Sequence, residues 1–223
     1  MPVRIIWQCA QRVFLSLFIV TLAATAHAGK FNQVISIGDK MPTFTDLPTV
    51  TGDTISSSNI SEDIVVLVSM SNNCPFSTGI ENDLIDFVES VKGQSVKVVA
   101  MSFNLHKGDL LPAMRKRAKK KGFNFTYLRD DSQELGRQLG TAVTPDFFVF
   151  NKQRQLVYTG LMHNSPPMAQ DSQGNKVAYM KGEPSEFYLA NAIKQTQQNQ
   201  PVTVKETSPY GCSIEYVVDP YEK

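Results

Sequence analysis

Cysteine, histidine and tryptophan are scarce in this chain of 223 residues, which carries three, three and one of them. With so few thiols and imidazoles, no run of the sequence shows metal-ligand spacing. A surplus of charge is missing too, since 22 Lys and Arg stand against 21 Asp and Glu. Nucleic-acid binding, which leans on concentrated positive charge, is therefore not expected. One basic cluster, Arg115, Lys116, Arg117, Lys119, Lys120 and Lys121, falls in a helix pattern and reads as a solvated face rather than a site for an anionic partner. No apolar run reaches the roughly 20 residues of a membrane-spanning helix, and no internal repeat is visible.

The apolar stretch from Val13 to Thr25 follows Arg4 and Arg12 and precedes Ala26-His27-Ala28. A basic start, a short apolar core and small residues at its end are the pattern of a cleavable secretory leader, here residues 1–28. The expectation is an exported protein, periplasmic or secreted, with no stable membrane insertion after cleavage. Residues 29–196 then form one domain, in which 161–184, rich in Pro, Gly, Ser and Asn, reads as an inserted loop. Residues 197–223 are a polar, extended tail. Cleavage takes away Arg4, Arg12 and Cys9, leaving 20 basic against 21 acidic residues, a net charge of −1. Two cysteines remain, Cys74 and Cys212, in a compartment where disulfides persist. They either pair, statically or in a catalytic cycle, or act singly on outside partners. Sequence separation does not decide this, because a disulfide requires only a short Cα separation in the fold.

The chain is organised around IVVLVSMSNNCPFSTG, residues 64–79. Its apolar start predicts a strand buried on both faces, residues 64–68; the polar turn 69–73 leads to Cys74-Pro75 and a helix over 75–91, ended by Gly93. A cysteine at a helix N-terminus faces unpaired N–H groups and the positive end of the dipole, which favour a thiolate. A reactive sulfur is one reading of Cys74; a small buried hydrophobe is the other. VKVVAMS, residues 96–102, predicts a second buried strand, and strand, helix and strand together make a parallel βαβ unit. Asp109 is placed to cap a helix running to Lys121, and Ser132 to cap one ending at Leu139. Residues 146–150 and 156–160 read as an antiparallel hairpin and 185–195 as the last helix, while 49–55 reads as a small hairpin near the start.

This order, with Cys74 opening the first long helix and Thr144-Pro145 preceding the hairpin, resembles the thioredoxin-like fold: α/β, a central mixed sheet flanked by helices, an N-terminal β-hairpin and an extended C-terminal tail. The resemblance implies that Pro145 is a cis-proline beside the active cysteine, with Thr144 and Pro145 lining the substrate site. It is closer to the AhpC/TSA-related, peroxiredoxin-like redoxins. Residues 37–44 (IGDKMPTF), Asn72-Asn73-Cys74-Pro75-Phe76, residues 117–130, Thr144-Pro145-Asp146-Phe147-Phe148-Val149-Phe150 and Gly211-Cys212-Ser213-Ile214 carry it, in that order.

Members of that branch look like Cys-Asn-His-Cys-Pro-Tyr at this site, whereas here Ser71 replaces the first cysteine. A local dithiol, one thiolate attacking and the second resolving, is therefore missing. Ser71 does keep the spacing of the hydroxyl that precedes a peroxidatic cysteine. Leu67, however, stands where the peroxiredoxin motif has proline, and Thr144-Pro145 about where its activating arginine would be. Without that charge, thiolate formation and departure of the peroxide oxygen both suffer; Arg129, Arg137 and Arg154 are the candidates to replace it.

The leading expectation is an exported thiol-based oxidoreductase, of the thiol-disulfide or peroxiredoxin-like antioxidant kind. In it Cys74 is the nucleophile, Cys212 resolves it from the tail, Ser71 assists, and the partner is a peroxide or a protein thiol or disulfide; no cofactor is expected. The alternative is a non-catalytic thioredoxin-like scaffold that has lost its dithiol and holds an extended peptide near Pro145. Metal binding, as in copper-handling relatives of the fold, would have to draw on His106, His163 and Met70, of which neither histidine is near Cys74 in sequence. Oligomeric state is not set by any of these features.

Overall fold

A computed structural model describes residues 29–170, 176–179 and 181–217. The leader expected over 1–28 lies outside the described residues. Five strands form the central sheet: β1 (Ile64–Ser69), β2 (Val96–Ser102), β3 (Thr126–Arg129), β4 (Asp146–Phe150) and β5 (Leu156–Gly160). Their order is β3-β2-β1-β4-β5, with β1, β2 and β3 parallel and β4 antiparallel to both β1 and β5. The helices are α1 (Pro75–Gly79), α2 (Glu81–Ser90), α3 (Leu111–Lys121), α4 (Glu134–Leu139) and α5 (Tyr188–Gln197).

The unbroken apolar run of β1 follows from its central place. Val66 and Val68 point into a core with Leu84 and Phe87 of α2 and Leu189 and Ile193 of α5, while Val65 and Leu67 point into a second core with Leu135 and Leu139 of α4, Phe148 and Phe150. A strand covered on both faces has no room for alternation with polar residues. Each such Val or Leu contributes roughly 1.5–3 kcal/mol by leaving water. β1 is thereby a fixed post, and its C-terminal end delivers the turn that carries Cys74.

Several expectations need correction. The helix expected over 75–91 is broken at Ile80, which lies buried in the core directly after Gly79. Ile80 has φ −86° and ψ −4°, off the ideal helix, so the segment divides there into two helices. Asp109 does not cap α3, whose N-cap is Leu110; its carboxylate turns instead to the loop before Cys74. The cap position of α4 is held by Gln133, although Ser132 Oγ still accepts from Glu134 N at 3.2 Å. The basic face of α3 is only partly solvated, because Arg117 and Lys121 both reach the buried carboxylate of Glu81. Within 161–184, Pro167–Gln170 and Lys176–Tyr179 pair as an antiparallel hairpin, and its first strand packs on α1. The small hairpin near the start is present, with Leu47–Pro48 paired to Thr54–Ile55.

The described part of the tail, to residue 217, is extended, as expected, and is bonded to the body at several points. Thr159 N donates to Lys205 O and Thr159 O accepts from Thr207 N, Cys212–Ser213 pairs antiparallel with Val143–Thr144, and Val217 N donates to Gln133 Oε1 at 2.7 Å.

Candidate functional site

The turn after β1 is held by one buried carboxylate. Asp109 Oδ1 accepts from Asn72 N at 2.5 Å, and its Oδ2 accepts from Ser71 Oγ at 2.8 Å and Asn73 Nδ2 at 3.0 Å. Asn72 Nδ2 adds a bond to Gly108 O at 2.7 Å. The Asn73 amide lies close over Gly108, where a Cβ would come within 2.5 Å of Asn73 Nδ2 and make that side chain shift. Burial, and then the charge of Asp109, push the phenol of neighbouring Tyr127 far up, so that it stays neutral. Ser71 Oγ, expected to face the sulfur, also accepts from Asn73 N at 3.1 Å. Its hydroxyl is therefore engaged within the turn, while Ser71 O accepts from Cys74 N at 3.3 Å.

Cys74 follows as the N-cap of α1 and is 1% exposed. Its sulfur donates to Thr144 O at 3.0 Å. Thr144-Pro145 is cis, as the resemblance implied, so Thr144 and Pro145 do stand beside this cysteine. The segment before the proline is tied to β1 by Ser69 Oγ, which donates to Val143 O at 2.8 Å and accepts from Asp146 N at 3.0 Å. Burial pushes the carboxyl of Asp146 up to about 8, against hydrogen bonds from Thr141 and the Phe147 backbone.

The tail supplies the third wall. Cys212 is the register partner of Thr144, whose carbonyl holds the Cys74 thiol, and the two cysteines are unbonded neighbours. The Cys212 thiol is pushed up to about 12, first by burial and then by the Cys74 sulfur as hydrogen-bonding group and as charge; the Phe76 backbone N–H opposes this. Tyr210 adds an edge contact to the ring of Phe76, with centroids 5.0 Å apart. Thus the fold brings together Cys74, Cys212, Thr144 and Pro145 and commits the Ser71 hydroxyl to Asp109.

The three candidate arginines are engaged elsewhere. Arg129 reaches Asn104 O, Asp109 O and Asp131; Arg137 reaches Val217 O and stacks over Tyr216; Arg154 reaches Ile60 O and Glu62 O. Among the described residues, no group of three His, Cys, Asp or Glu is arranged to hold a metal ion. His163 lies 3.5 Å from Asp83, and the ring of His106 accepts from Gly108 N. Sequence reasoning missed Asp109 and Asp146, since neither a short Asp-Leu-Leu-Pro run nor an acid at a strand start signals a buried carboxylate.

The AhpC/TSA family profile matches residues 37–159. Curated proteins give no match. A crystal structure of a conserved uncharacterized protein from Geobacillus kaustophilus is 25% identical, covers 86% of this chain and 96% of its own, and superposes with a TM-score of 0.74. A hypothetical protein from Sinorhizobium meliloti 1021 is 26% identical over 84% of this chain and 98% of its own, with a TM-score of 0.71. A putative thiol:disulfide interchange protein, DsbE, from Chlorobium tepidum shares the fold, at 19% identity over 73% and 99% of the two chains and a TM-score of 0.55.

Proposed function

The chain belongs to the AhpC/TSA family, the redoxins of thioredoxin-like fold, and from that premise we propose that it is an exported thiol-disulfide oxidoreductase with Cys74 as nucleophile and Cys212 as resolving thiol. The observation that carries this reading is the meeting of the two sulfurs across Thr144, one held on its carbonyl and the other on its register partner. The local dithiol lost at Ser71 is replaced by a second thiol that arrives from the tail.

The roles follow from chemistry. Cys74 sits in the pinned turn at the start of α1 beside the cis-proline, while burial pushes the Cys212 thiol up, and both favour Cys74 for the first attack. Its sulfur displaces one sulfur of a partner disulfide, or one oxygen of a peroxide; Cys212 then attacks the Cys74 sulfur, releases the partner thiol or water, and closes a Cys74–Cys212 bond. An outside dithiol reopens it. Since Arg129, Arg137 and Arg154 are engaged with other partners, a disulfide is favoured over a peroxide as the oxidant. The leader pattern of residues 1–28 supports export to a compartment where such exchange persists.

Treating the reduced protein with a small disulfide or peroxide and mapping its thiols by mass spectrometry tests the assignment. A reductant-sensitive Cys74–Cys212 bond is expected, Cys212→Ser should stop at an adduct or sulfenic acid on Cys74, and Cys74→Ser should abolish turnover. Free thiols at both positions after treatment would refute the resolving role.

A further inference from the structure

In the reduced state the reacting sulfur lies under the tail, and Cys74 at 1% exposure cannot meet a disulfide carried by a folded protein. The same tail shows what could take its place. Cys212–Ser213 adds to Val143–Thr144 as an antiparallel strand, a contact made by backbone groups that any extended segment possesses. Ile214 N extends the pairing to Ala142 O at 2.9 Å. One position is selective. A Cβ at Gly211 would lie 2.0 Å from Thr144 O and 2.6 Å from its carbonyl carbon. The backbone of Gly211 is not in the left-handed region, so glycine is required there for room and not for handedness. The residue after that glycine is the one placed beside Cys74.

Resting on Cys74 as the reacting sulfur and on Thr144 as part of the substrate site, we propose that the edge Val143–Thr144 selects extended, cysteine-bearing partner segments that have glycine directly before the cysteine. Residues 210–214 of the chain's own tail hold that place until displaced. The tail's local anchors are the Tyr210–Phe76 edge contact, the short ladder, Ile214 in the second core, the bond from Tyr216 Oη to Thr141 O at 2.7 Å, and the bonds of Glu215 and Val217 to Gln133 and of Val217 to Arg137. Next to Cys74 the hold is the two-residue ladder, whose backbone bonds a competing strand can make in its place.

Once the partner is docked, Cys74 attacks the partner's cysteine sulfur and the partner's disulfide breaks. Its second cysteine leaves with the electron pair and takes up the proton lost by Cys74. When the tail returns, Cys212 attacks Cys74, the partner's first cysteine leaves as a thiol, and the partner's disulfide has become two thiols at the expense of one Cys74–Cys212 bond.

The probe is a labelled peptide of residues 208–216 with serine in place of the cysteine, so that binding is non-covalent, beside the same peptide with valine in place of glycine. Full-length reduced protein is titrated by fluorescence anisotropy, and backbone hydrogen exchange is followed in its tail. The glycine peptide should bind at least tenfold more tightly than the valine peptide. At saturation it should speed exchange at Ile214 and Val217, whose bonds to Ala142 and Gln133 it breaks. Gly211→Val in the full chain, which unseats the tail, should raise affinity for the glycine peptide at least tenfold. Equal affinity for the two peptides, or tail exchange unchanged at saturation, would overturn the docking edge, and the wild-type titration decides this even where Gly211→Val folds poorly. Cys74→Ser should keep the preference for glycine. Loss of the Cys74–Cys212 bond in the thiol-mapping experiment with that preference intact would therefore count against the redox reading alone.

Discussion

The turn before Cys74 and the tail strand beside it each bring a reactive residue type to one carbonyl, yet they are built in opposite ways. The turn hangs from β1, buried on both faces, and is tied at three points to a carboxylate from the loop before α3. The tail strand is two residues long, and Tyr210 at its start is half exposed. A nucleophile must keep its geometry through the cycle, whereas a resolving thiol has to approach and withdraw. In the proposed cycle the pinned side carries the nucleophile and the tail side the resolving thiol, and stability is expected to differ across the site accordingly.

Removing the pin is the largest test of this contrast. Asp109→Ala leaves the donors of Ser71, Asn72 and Asn73 without their acceptor in a buried site, at a cost of about 1–3 kcal/mol for each group not rescued by water. A fall in chemical-denaturation stability of at least about 3 kcal/mol is expected, with tail exchange altered less than exchange in the turn. Equal loss on both sides would break the distinction.

Smaller per pH unit is the effect expected from Asp146, under the segment that joins the two regions. Its carboxyl is held protonated up to about 8 in the fold but ionises near 3.8 when unfolded, so above pH 4 the unfolded chain binds fewer protons than the folded one. Stability should fall as pH rises from about 4 to about 8, by up to about 1.4 kcal/mol per pH unit, and level off above. Asp146→Asn should flatten that portion of a denaturation series. A wild-type slope unchanged by the substitution would show that another group titrates there.

The smallest change sharpens the tail side. Tyr210→Ala removes the edge contact with Phe76, worth about 0.5–1.5 kcal/mol beyond area. Global stability should hardly move, while alkylation of Cys74 by iodoacetamide should become severalfold faster. Unchanged labelling would mean that Tyr210 does not help to keep the tail closed.

Much of the scaffold was legible beforehand, and for a local reason. The runs at 64–68, 96–102, 146–150 and 156–160 became β1, β2, β4 and β5 within a residue, because strands covered on both faces or paired as a hairpin leave continuous apolar runs bounded by polar turns. The break at Ile80 was not legible, since the apolar period continues through it and only the backbone angles of that residue reveal it. The hairpin within 161–184 was hidden by a composition rich in turn formers.

The sequence by itself determined the class of chemistry: two cysteines outside the leader pattern, no neighbouring thiol at Ser71, and a Thr-Pro pair ahead of a hairpin. Such features are local and survive as patterns. Only the tertiary structure decided that Cys212 lies against Cys74, that Asp109 serves the turn rather than its own helix, and that Gly211 must lack a side chain. Each of these is a contact between residues far apart along the chain, and closeness in space leaves no period or spacing in a sequence for a reader to find.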